Sequence, residues 1–581
     1  MDQNLDNLRH SCAHLVAHAV KLLYPGANNA IGPAIENGFY QDFDMGKWKI
    51  SDEDFPKIEA KMKEILPKWE SFTYGELTLA EAKKLFADNP YKIEMAEEFA
   101  KGGKKLLTNN PGDFPDLCKM GHVEHPNREL THFKLLSVAG AYWRGDEKNK
   151  MLTRIYGTCW PTKEELDKYL WQQEEAKKRD HKKLGAALEL FMFHETAPGM
   201  PYWLPKGVIL YNELIKFWRE EHSKKGYQEI VSPILNKKEL YITSGHYDHY
   251  WADMFVAKTE SEGEYGIKAM NCPNAHVVFG SKTRSYRDLP FRLSDTDTLH
   301  RNERSGTLNG LLRVREFRQD DAHIYVSENQ IESEYKEVFE IVKRFYSIFG
   351  MDYSFRLGTR NPENFMGDVE TWNKAESTLK TILEHSGVEY SVLDGDGAFY
   401  GPKVDILMKD ALGRSWQMGT VQLDFQQPRR FNLQYTDKTG QPQTPVAIHR
   451  VVYGSLERFI GLLIEHYAGA FPTWLSPIQV IVLPISDKHV DYAQKVTVSL
   501  KLVNIRCELV LKNEPLNARI RDAEMQKVPY ILVVGDREAQ SGSVSIRHRG
   551  SKESNSRPIS EFISQILGET STRANTTTPN A

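Results

Sequence analysis

Five arginines between His300 and His323 constrain this sequence more than any other feature. Two apolar-patterned segments flank a Gly/Ser-containing loop at residues 305–307, and this pattern predicts a β-hairpin. Arginine forks bind phosphate and carboxylate oxygens more specifically than a solvated sheet face requires. We therefore interpret the stretch as an anion-binding hairpin with a polar pocket at its 319–323 end, although an exposed charged ribbon would carry the same pattern.

The length predicts three or four domains, since the chain has 581 residues and domains have about 150. The longest apolar runs, such as residues 479–485, have the length of strands, so no transmembrane helix or membrane partner is expected. The first residues lack the parts of a signal peptide and are too acidic for a transit peptide, which predicts a cytoplasmic protein. Five dispersed cysteines argue against a disulfide framework.

A net charge of −4 gives no overall field that would attract a polyanion. A nucleic acid would therefore have to bind local basic patches, and three lie at residues 177–183, 429–430 and 547–549. Each patch alone is more often a solvated surface. Their recurrence in separate segments favours an RNA partner modestly.

The spacing of apolar residues predicts an α+β protein of several domains. Mixed helix and strand patterns indicate a first domain over 1–160, followed by a charged linker helix over 161–185. Strands and helices, including the arginine hairpin, continue over 186–475. An alternating β/α pattern predicts an α/β domain over 476–567, and the Thr/Asn/Pro-rich residues 568–581 are expected to form a disordered tail.

Two pairs of candidate ligands mark the first domain. His10 and His14 lie four residues apart on a predicted helix, which places both rings on one face, and Cys118 and His122 have the same spacing. The four side chains could bind a metal, or they could form a hydrolytic pocket of general bases and hydrogen-bond donors. The sequence leaves both interpretations open.

The central domain contains three dispersed candidates, Cys272, His323 and His449. Their spacing gives them no common role, and three separately buried residues would be the simpler interpretation.

Several motifs together change that interpretation. Residues 226–233, the arginine hairpin and residues 454–460 resemble the three signature motifs of class II aminoacyl-tRNA synthetases. More narrowly, Met270–Pro273, Arg318–His323 and the segment around His449 are similar to the threonyl-tRNA synthetase family. The resemblance covers nearly the whole chain. It implies a catalytic core built on an antiparallel sheet, an α+β editing domain and an α/β anticodon-binding domain.

The resemblance also implies an activity: formation of threonyl-adenylate from L-threonine and ATP, then threonyl transfer to tRNA(Thr). It implies a homodimer formed through residues 226–233, Mg²⁺ with ATP, and one zinc ion bound by Cys272, His323 and His449. The other roles that it implies are ATP binding by Arg301, Glu303, Arg313 and Arg458, threonine binding by Gln319, Asp321, Tyr400 and Gln417, and catalysis by Arg301, Arg458 and His246.

Physical chemistry explains why such an enzyme would need the first domain. A pocket that engages a hydroxyl rejects valine by about 10⁴- to 10⁵-fold, whereas the methyl that serine lacks is worth only about 10- to 200-fold. The resemblance therefore implies hydrolysis of seryl-tRNA(Thr) by an editing site of His10, His14, Lys92, Asp116, Cys118 and His122. It implies anticodon contacts by Asn513, Glu538 and Arg547, with Arg549 as a phosphate contact.

The sequence departs from the family in two places. Most bacterial members begin with an extra small domain, which is expected to be missing here, and the usual Gly-His after Pro273 is replaced by Asn274-Ala275. Two alternatives remain open. An RNA-binding paralogue without catalysis should have lost Arg301, Arg458 or the zinc ligands, and an enzyme for a different amino acid would respond best to that amino acid.

Overall fold

The computed structural model describes residues 3–118, 121–260 and 263–575. The chain divides into two compact units, Met1–Glu174 and Glu175–Ala581. The division falls within the predicted linker helix, which spans Lys163–Arg179. Within the described ranges, no helix is long and apolar enough to cross a membrane.

A long first helix forms the centre of the first unit. Helix Gln3–Leu23 is buried at nearly every position from Leu8 to Val20, because it packs against a sheet and against helix Phe55–Ile65. The other helices of this unit are Leu79–Leu85, Pro90–Lys101 and Pro126–Glu129.

Two antiparallel sheets complete the first unit. The larger one has the order Asn28–Asn29, Gly38–Asp44, Met151–Trp160 and His132–Tyr142, with Ala34–Ile35 paired to Gly38–Asp44. The smaller one has the order Thr73–Leu77, Leu106–Asn110 and Asp116–Leu117.

An eight-stranded, mainly antiparallel sheet forms the core of the second unit. Its order is Gln228–Glu229, Phe291–Asp295, Asp321–Val326, Val446–Val451, Ser415–Asp424, Lys403–Lys409, Asp352–Gly358 and Tyr390–Leu393. Only the first and last pairs are parallel. The central strands are buried on both faces, so their polar side chains must find partners inside the protein.

Helices cover this sheet or border its cavity. They are Pro205–Lys224, Lys238–Ser244, His246–Tyr250, Cys272–Gly280, Ile331–Phe349, Val369–Ser386, Gln427–Arg430 and Leu456–His466. Gly454 lies between the strand Val446–Val451 and the last of these helices. Its φ is +75°, and a Cβ there would lie 2.2 Å from the Met418 carbonyl oxygen, so only glycine fits. Ser455 then caps the helix by accepting from the Arg458 N–H at 3.2 Å.

The C-terminal part of the second unit is a five-stranded sheet with helices, as the β/α pattern predicts. Its strand order is Cys507–Leu509, Val480–Pro484, Tyr530–Val534, Ser543–His548 and Ser554–Pro558. Its helices are Val490–Leu502, Leu516–Met525, Asp536–Ser541 and Ile559–Thr572.

The arginine hairpin is shorter than predicted. Only Thr298–His300 and Glu316–Arg318 pair as strands, and most of the arginines lie in the loop between them. One more bond crosses the hairpin beyond them, from the Arg301 N–H to the Arg315 carbonyl at 2.9 Å. The neighbouring main-chain groups then bond elsewhere: the Asn302 N–H donates to the Asp253 carbonyl at 2.8 Å and the Arg315 N–H to the Gly199 carbonyl at 2.7 Å.

The predicted tail over 568–581 also begins too early. Helix Ile559–Thr572 continues through its first residues, because Phe562 and Ile566 anchor the helix in the C-terminal core. Residues 576–581 lie outside the described part of the chain.

Candidate functional site

A cavity of about 320 Å³ opens at the central strands of the second unit. The cavity contains most of the residues predicted for catalysis, threonine binding and zinc, although they come from separate segments. The predicted residues that line it are His246, Cys272, Arg301, Gln319, Asp321, His323, Tyr400 and His449.

The fold brings together the three dispersed candidate zinc ligands. His323 and His449 lie directly opposite each other on neighbouring strands, and Cys272 begins the helix beside them. Their ligand atoms lie within 4.8 Å of one another, and all three residues are buried. One sulfur and two imidazole nitrogens suit zinc, and the buried His323 Nδ1 has no hydrogen-bond partner. The residues present therefore fit the ion.

A second donor set overlaps the first. His276, Asp424 and His449 also have ligand atoms within 4.8 Å of one another and are buried. The Asp424 carboxylate lies 3.0 Å from His449 Nε2. The two sets share His449, so the orientation of the His449 ring decides which of the two sets could bind a metal ion.

The cavity wall supplies groups that can bind a small polar ligand. The Asn271 amide donates to Asp321 Oδ2 at 3.1 Å, and burial raises the pKa of Asp321 to about 6 against the effect of that donor. The Tyr400 hydroxyl donates to the Gln422 side-chain oxygen.

Gln417 does not line the cavity, contrary to its predicted role. Its amide donates to Asp405 at 2.8 Å and its oxygen accepts from Arg356 at 2.9 Å. Gln422, five residues further on the same strand, lines the cavity instead because it pairs directly with His449. The strand register, with an irregularity near Asp405, decides between them, and the sequence does not reveal it.

His246 lies at the cavity beside the candidate zinc ligands. Its Nδ1 lies 2.8 Å from the Ser244 hydroxyl, and its Nε2 lies 3.9 Å from Cys272 Sγ. Burial, with a smaller effect of His449, lowers the pKa of His246 to about 3. The imidazole is therefore neutral near pH 7.

Three arginines converge beside the cavity. Arg313 forms an ion pair with Glu303 at 2.7 Å, and Arg458 Nε donates to the Leu312 carbonyl at 2.9 Å. Burial and the charges of Arg313 and Arg301 lower the pKa of Arg458. Such a concentration of positive charge forms a site for an anion.

The first unit brings its predicted quartet together. The ligand atoms of His10, His14, Cys118 and His122 lie within 4.8 Å of one another. His14 Nε2 is 3.2 Å from His10 Nε2, and Cys118 Sγ is 3.4 Å from His122 Nε2. Burial and the neighbouring His14 lower the pKa of His10 to about 4, so His10 is a neutral base near pH 7.

Lys92 and Asp116 complete this cluster. Asp116 pairs with Lys92 Nζ at 2.7 Å and with His14 Nδ1 at 3.0 Å. Burial alone would lower the pKa of His14, but Cys118 and Asp116 outweigh it and raise the pKa to about 9. Asn29, which was not predicted, donates to Asp116 at 3.1 Å. The cluster thus combines a neutral and a charged imidazole.

The predicted anticodon contacts are spread over the C-terminal sheet. Asn513 lies in an exposed loop, Glu538 accepts from the Gly535 N–H at 3.0 Å, and Arg547 pairs with Glu524 at 2.5 Å. Arg549, predicted as a phosphate contact, is partly buried and stabilises the local main chain. Arg549 donates to the Lys527 and Phe471 carbonyls at 2.7 and 2.9 Å, and burial lowers its pKa to about 10.

Comparisons with known proteins agree with this architecture. A family model described as the tRNA synthetase class II core domain (G, H, P, S and T) matches residues 250–467, and an anticodon binding domain model matches residues 479–569. A threonine–tRNA ligase of Acetivibrio thermocellus is 49% identical over 567 residues, covering 97% of this chain and 88% of that protein. The one from Caldanaerobacter subterraneus subsp. tengcongensis is 50% identical over 570 residues, covering 97% and 87%.

Solved structures give the same result. The RNA binding domain of threonyl-tRNA synthetase from Cryptosporidium parvum aligns with a TM-score of 0.65 and 41% identity, covering 67% of this chain and 98% of that chain. A prolyl-tRNA synthetase of the same organism aligns with a TM-score of 0.52 and 17% identity, covering 68% and 75%, which shows a shared fold alone.

Proposed function

The chain belongs to the threonine–tRNA ligase family, and we propose from this premise which residues carry each step of its reaction. It is an aminoacyl-tRNA ligase that attaches threonine to tRNA. The observation that carries the assignment is that one cavity contains both Arg301 and the trio Cys272, His323 and His449. A charge-binding group and a metal-type donor set thus meet where an amino acid would bind.

The arginine cluster would activate threonine with ATP and its Mg²⁺. Arg301 would bind the threonine carboxylate and the α-phosphate, Arg313 and Arg458 the distal phosphates, and Glu303 the adenine amino group. A carboxylate oxygen attacks the α-phosphorus, and pyrophosphate leaves. Guanidinium groups fixed in advance stabilise the charge that develops on the phosphoryl oxygens.

Selection of threonine would take place at the wall of the cavity that lies opposite the arginine cluster. Cys272, His323 and His449 would hold one zinc ion, which when bound acts as a Lewis acid toward the amino and hydroxyl groups of threonine. Asp321 and Tyr400 would complete the pocket, with the Gln319 side chain and with Gln422 in place of Gln417. Because these buried groups need polar partners, an amino acid without a hydroxyl would leave them unpaired.

His246 would assist the transfer step. A neutral imidazole at the cavity can accept a hydrogen bond from a hydroxyl of the terminal tRNA ribose and so orient it for attack. Its contact with Ser244 supports this role because it fixes the ring.

Threonylation assays with purified chain and tRNA test this assignment. Arg458→Ala should lower kcat/KM by about 10²- to 10³-fold, since a preorganised donor to the transition state is lost. Arg557→Ala, on the exposed last strand, is the matched control and should behave as the wild type. Efficient threonylation by Arg458→Ala would contradict the proposed phosphate site.

The first unit would hydrolyse seryl-tRNA(Thr). His10, neutral near pH 7, can take a proton from the attacking water, while Lys92 and the charged His14 can stabilise negative charge on the acyl oxygen. Asp116 would orient both cations, as its contacts with them suggest. Cys118 and His122 would line the same pocket.

A double variant tests this role. His10→Ala with His14→Ala should abolish hydrolysis of seryl-tRNA(Thr), lowering its rate by about 10²-fold or more, and should leave threonylation unchanged. His125→Ala, an exposed histidine of the same unit, is the control. If the double variant hydrolyses seryl-tRNA normally, the editing reaction does not use this cluster.

The C-terminal sheet would bind the anticodon through Asn513, Glu538 and Arg547. Contacts to base edges distinguish one nucleotide sequence from another, whereas contacts to phosphates only position the RNA on the protein. Arg547→Ala should therefore reduce charging of tRNA(Thr) more than charging of anticodon variants. An equal loss across all variants would identify Arg547 as a phosphate contact.

The edge of the large sheet would form a homodimer interface. Strand Gln228–Glu229 is an edge strand, and beyond it Val231, Ile234 and Leu235 are 86%, 45% and 54% exposed. Exposed apolar groups of this kind mark interaction surfaces. Val231→Asp should shift the sedimenting species from dimer to monomer, while Val498→Asp, at another exposed valine, should not.

A further inference from the structure

Asp424 is a completely buried carboxylate, and one of its hydrogen bonds reaches a candidate zinc ligand. Oδ2 lies 3.0 Å from His449 Nε2. Oδ1 accepts the main-chain N–H groups of Gln426 and Gln427 at 2.7 and 3.0 Å. Asp424 thus links His449, on the neighbouring strand, to the helix Gln427–Arg430.

The first contact determines which nitrogen of His449 can bind a metal. A carboxylate only accepts hydrogen bonds, so His449 Nε2 must carry the proton that it receives. The lone pair is then on Nδ1. Buried carboxylates commonly fix the tautomer and the ring orientation of metal-binding histidines in this way.

The second contact reaches the sulfur ligand. Gln427 is fully buried, and its main-chain N–H is held by Asp424 at the start of helix Gln427–Arg430. The Gln427 side-chain amide lies near the Cys272 thiol and His276, and its nitrogen and oxygen are buried without a hydrogen-bond partner among the described residues. Asp424 therefore positions a polar neighbour of the thiolate as well as an imidazole.

We propose that Asp424 is the positioning residue of the zinc site, which orients His449 as an Nδ1 ligand and places Gln427 beside Cys272. The inference rests on the proposed zinc pocket and goes beyond it, because Asp424 does not itself touch the ion. In the overlapping set of His276, Asp424 and His449, by contrast, Asp424 would be a ligand. His276 Nδ1 lies 2.9 Å from the Tyr325 hydroxyl, so His276 would have to bind a metal in that set through its buried Nε2.

Zinc affinity of the full chain tests the proposal without measuring activity. Asp424→Asn keeps the shape of the side chain, but its one amide oxygen cannot accept from His449 Nε2 and from the two main-chain N–H groups at once. Competition with a chromogenic chelator should show zinc affinity about 10- to 100-fold lower than that of the wild type. Asp410→Asn is the matched control, because Asp410 is also buried and also accepts main-chain N–H groups. Its zinc affinity should not change.

Two further readouts separate positioning from loss of folding. Asp424→Glu keeps an acceptor for His449 Nε2 and should retain zinc more tightly than Asp424→Asn. The cobalt-substituted wild type should show the thiolate charge-transfer absorption of a Cys272-containing site, and Asp424→Asn should shift its visible ligand-field bands.

Several results would overturn the inference. Unchanged zinc affinity and cobalt spectrum in Asp424→Asn would remove Asp424 from the site while leaving the proposed function intact. Equal losses in the Asn and Glu variants would indicate a merely structural role. A wild-type cobalt spectrum without thiolate absorption would place the metal at the His276-containing set, and a wild type that binds no zinc would remove both proposals.

Discussion

Glu457 is a buried acid that accepts three hydrogen bonds. Its donors are the Tyr211 hydroxyl at 3.2 Å, the Arg318 N–H at 2.9 Å and the Ser455 hydroxyl at 3.3 Å. Burial outweighs these donors and raises the pKa of Glu457 to about 7. The folded state therefore holds a proton that the unfolded state releases at lower pH.

This shift predicts a pH-dependent stability. A raised carboxyl pKa contributes stability that is complete below the ordinary value of about 4.5 and is lost as the pH rises through about 7. The expected loss is about 3 kcal/mol. Urea unfolding of the full chain, monitored by hydrogen exchange of helix Leu456–His466, should show this decline. Glu457→Gln should make the decline smaller by about 3 kcal/mol, while the part that comes from the buried carboxyls of Asp320 and Asp321 remains. An equal decline in Glu457→Gln would contradict the assignment.

The sequence identifies single residues well where a side-chain type is chemically required. Cys272, His323 and His449 were found through the resemblance, and the fold explains why spacing could not find them: a strand pairing joins two of them. The resemblance implied Gln417 and did not point to Gln422, and only the pairing register shows that Gln422 is the glutamine of this strand at the cavity. The charge of Arg549 predicts a phosphate contact, but it does not reveal that the side chain also donates to two main-chain carbonyls.

At the scale of elements, the loop between the hairpin strands carries the ATP-binding proposal. Glu303 and Arg313 form an ion pair across it, and Arg313 is half exposed. The pair must open for the adenine amino group and a phosphate to take its place. Steady-state kinetics can therefore distinguish a residue that binds ATP from one that binds threonine.

Glu303→Ala should raise KM for ATP by about 10- to 100-fold, because a hydrogen bond between an ionised acceptor and the adenine is lost. KM for threonine should stay within about twofold, since the opposite wall of the cavity is unchanged. Glu316→Ala, which removes a carboxylate 3.3 Å from His300 in the same hairpin, is the control. An effect on threonine and not on ATP would refute the assignment of Glu303.

Elements with a strong apolar period were predicted well, and elements fixed by distant contacts were not. The first helix and the helix Val490–Leu502 follow from their spacing. Helix Pro90–Lys101 was missed, although Asn89 caps it in the usual way. The hairpin was predicted too long because its ladder is ended by bonds to residues 253 and 199, which no local pattern reveals.

At the scale of the whole molecule, Arg506 joins the C-terminal sheet to the rest of the second unit. It pairs with Glu213 at 2.7 Å and donates to the Ser476 and Trp474 carbonyls at 3.0 and 2.6 Å. This contact would hold the anticodon-binding part at a fixed place relative to the catalytic cavity.

Arg506→Ala should lower the free energy of unfolding by about 1 to 3 kcal/mol, because its acceptors lose their donor. KM for tRNA should rise by about 10-fold while ATP–pyrophosphate exchange, which needs no tRNA, stays within about twofold. Arg521→Ala, at an exposed arginine of the same part, controls for charge. Equal losses in exchange and charging would show that Arg506 supports the catalytic core itself.

The overall architecture was predictable because several motifs agree on it. Residues 226–233 contain the edge strand of the large sheet, and residues 454–460 begin the helix that follows one of its central strands. The arginine hairpin forms a separate two-stranded sheet. Such joint agreement of distant segments is more specific than any single motif. The burial of individual polar groups was not predictable, since it depends on how the elements pack.

The central claim is that one zinc-containing cavity selects threonine and activates it with ATP. Amino-acid-dependent ATP–pyrophosphate exchange and zinc content, measured on the same sample, test it most directly. Cys507→Ser is the control for Cys272→Ser, since both cysteines are buried. We expect one zinc per chain, exchange that is fastest with threonine, and loss of both in Cys272→Ser alone. Threonine-dependent exchange by a zinc-free protein, or faster exchange with another amino acid, would contradict it.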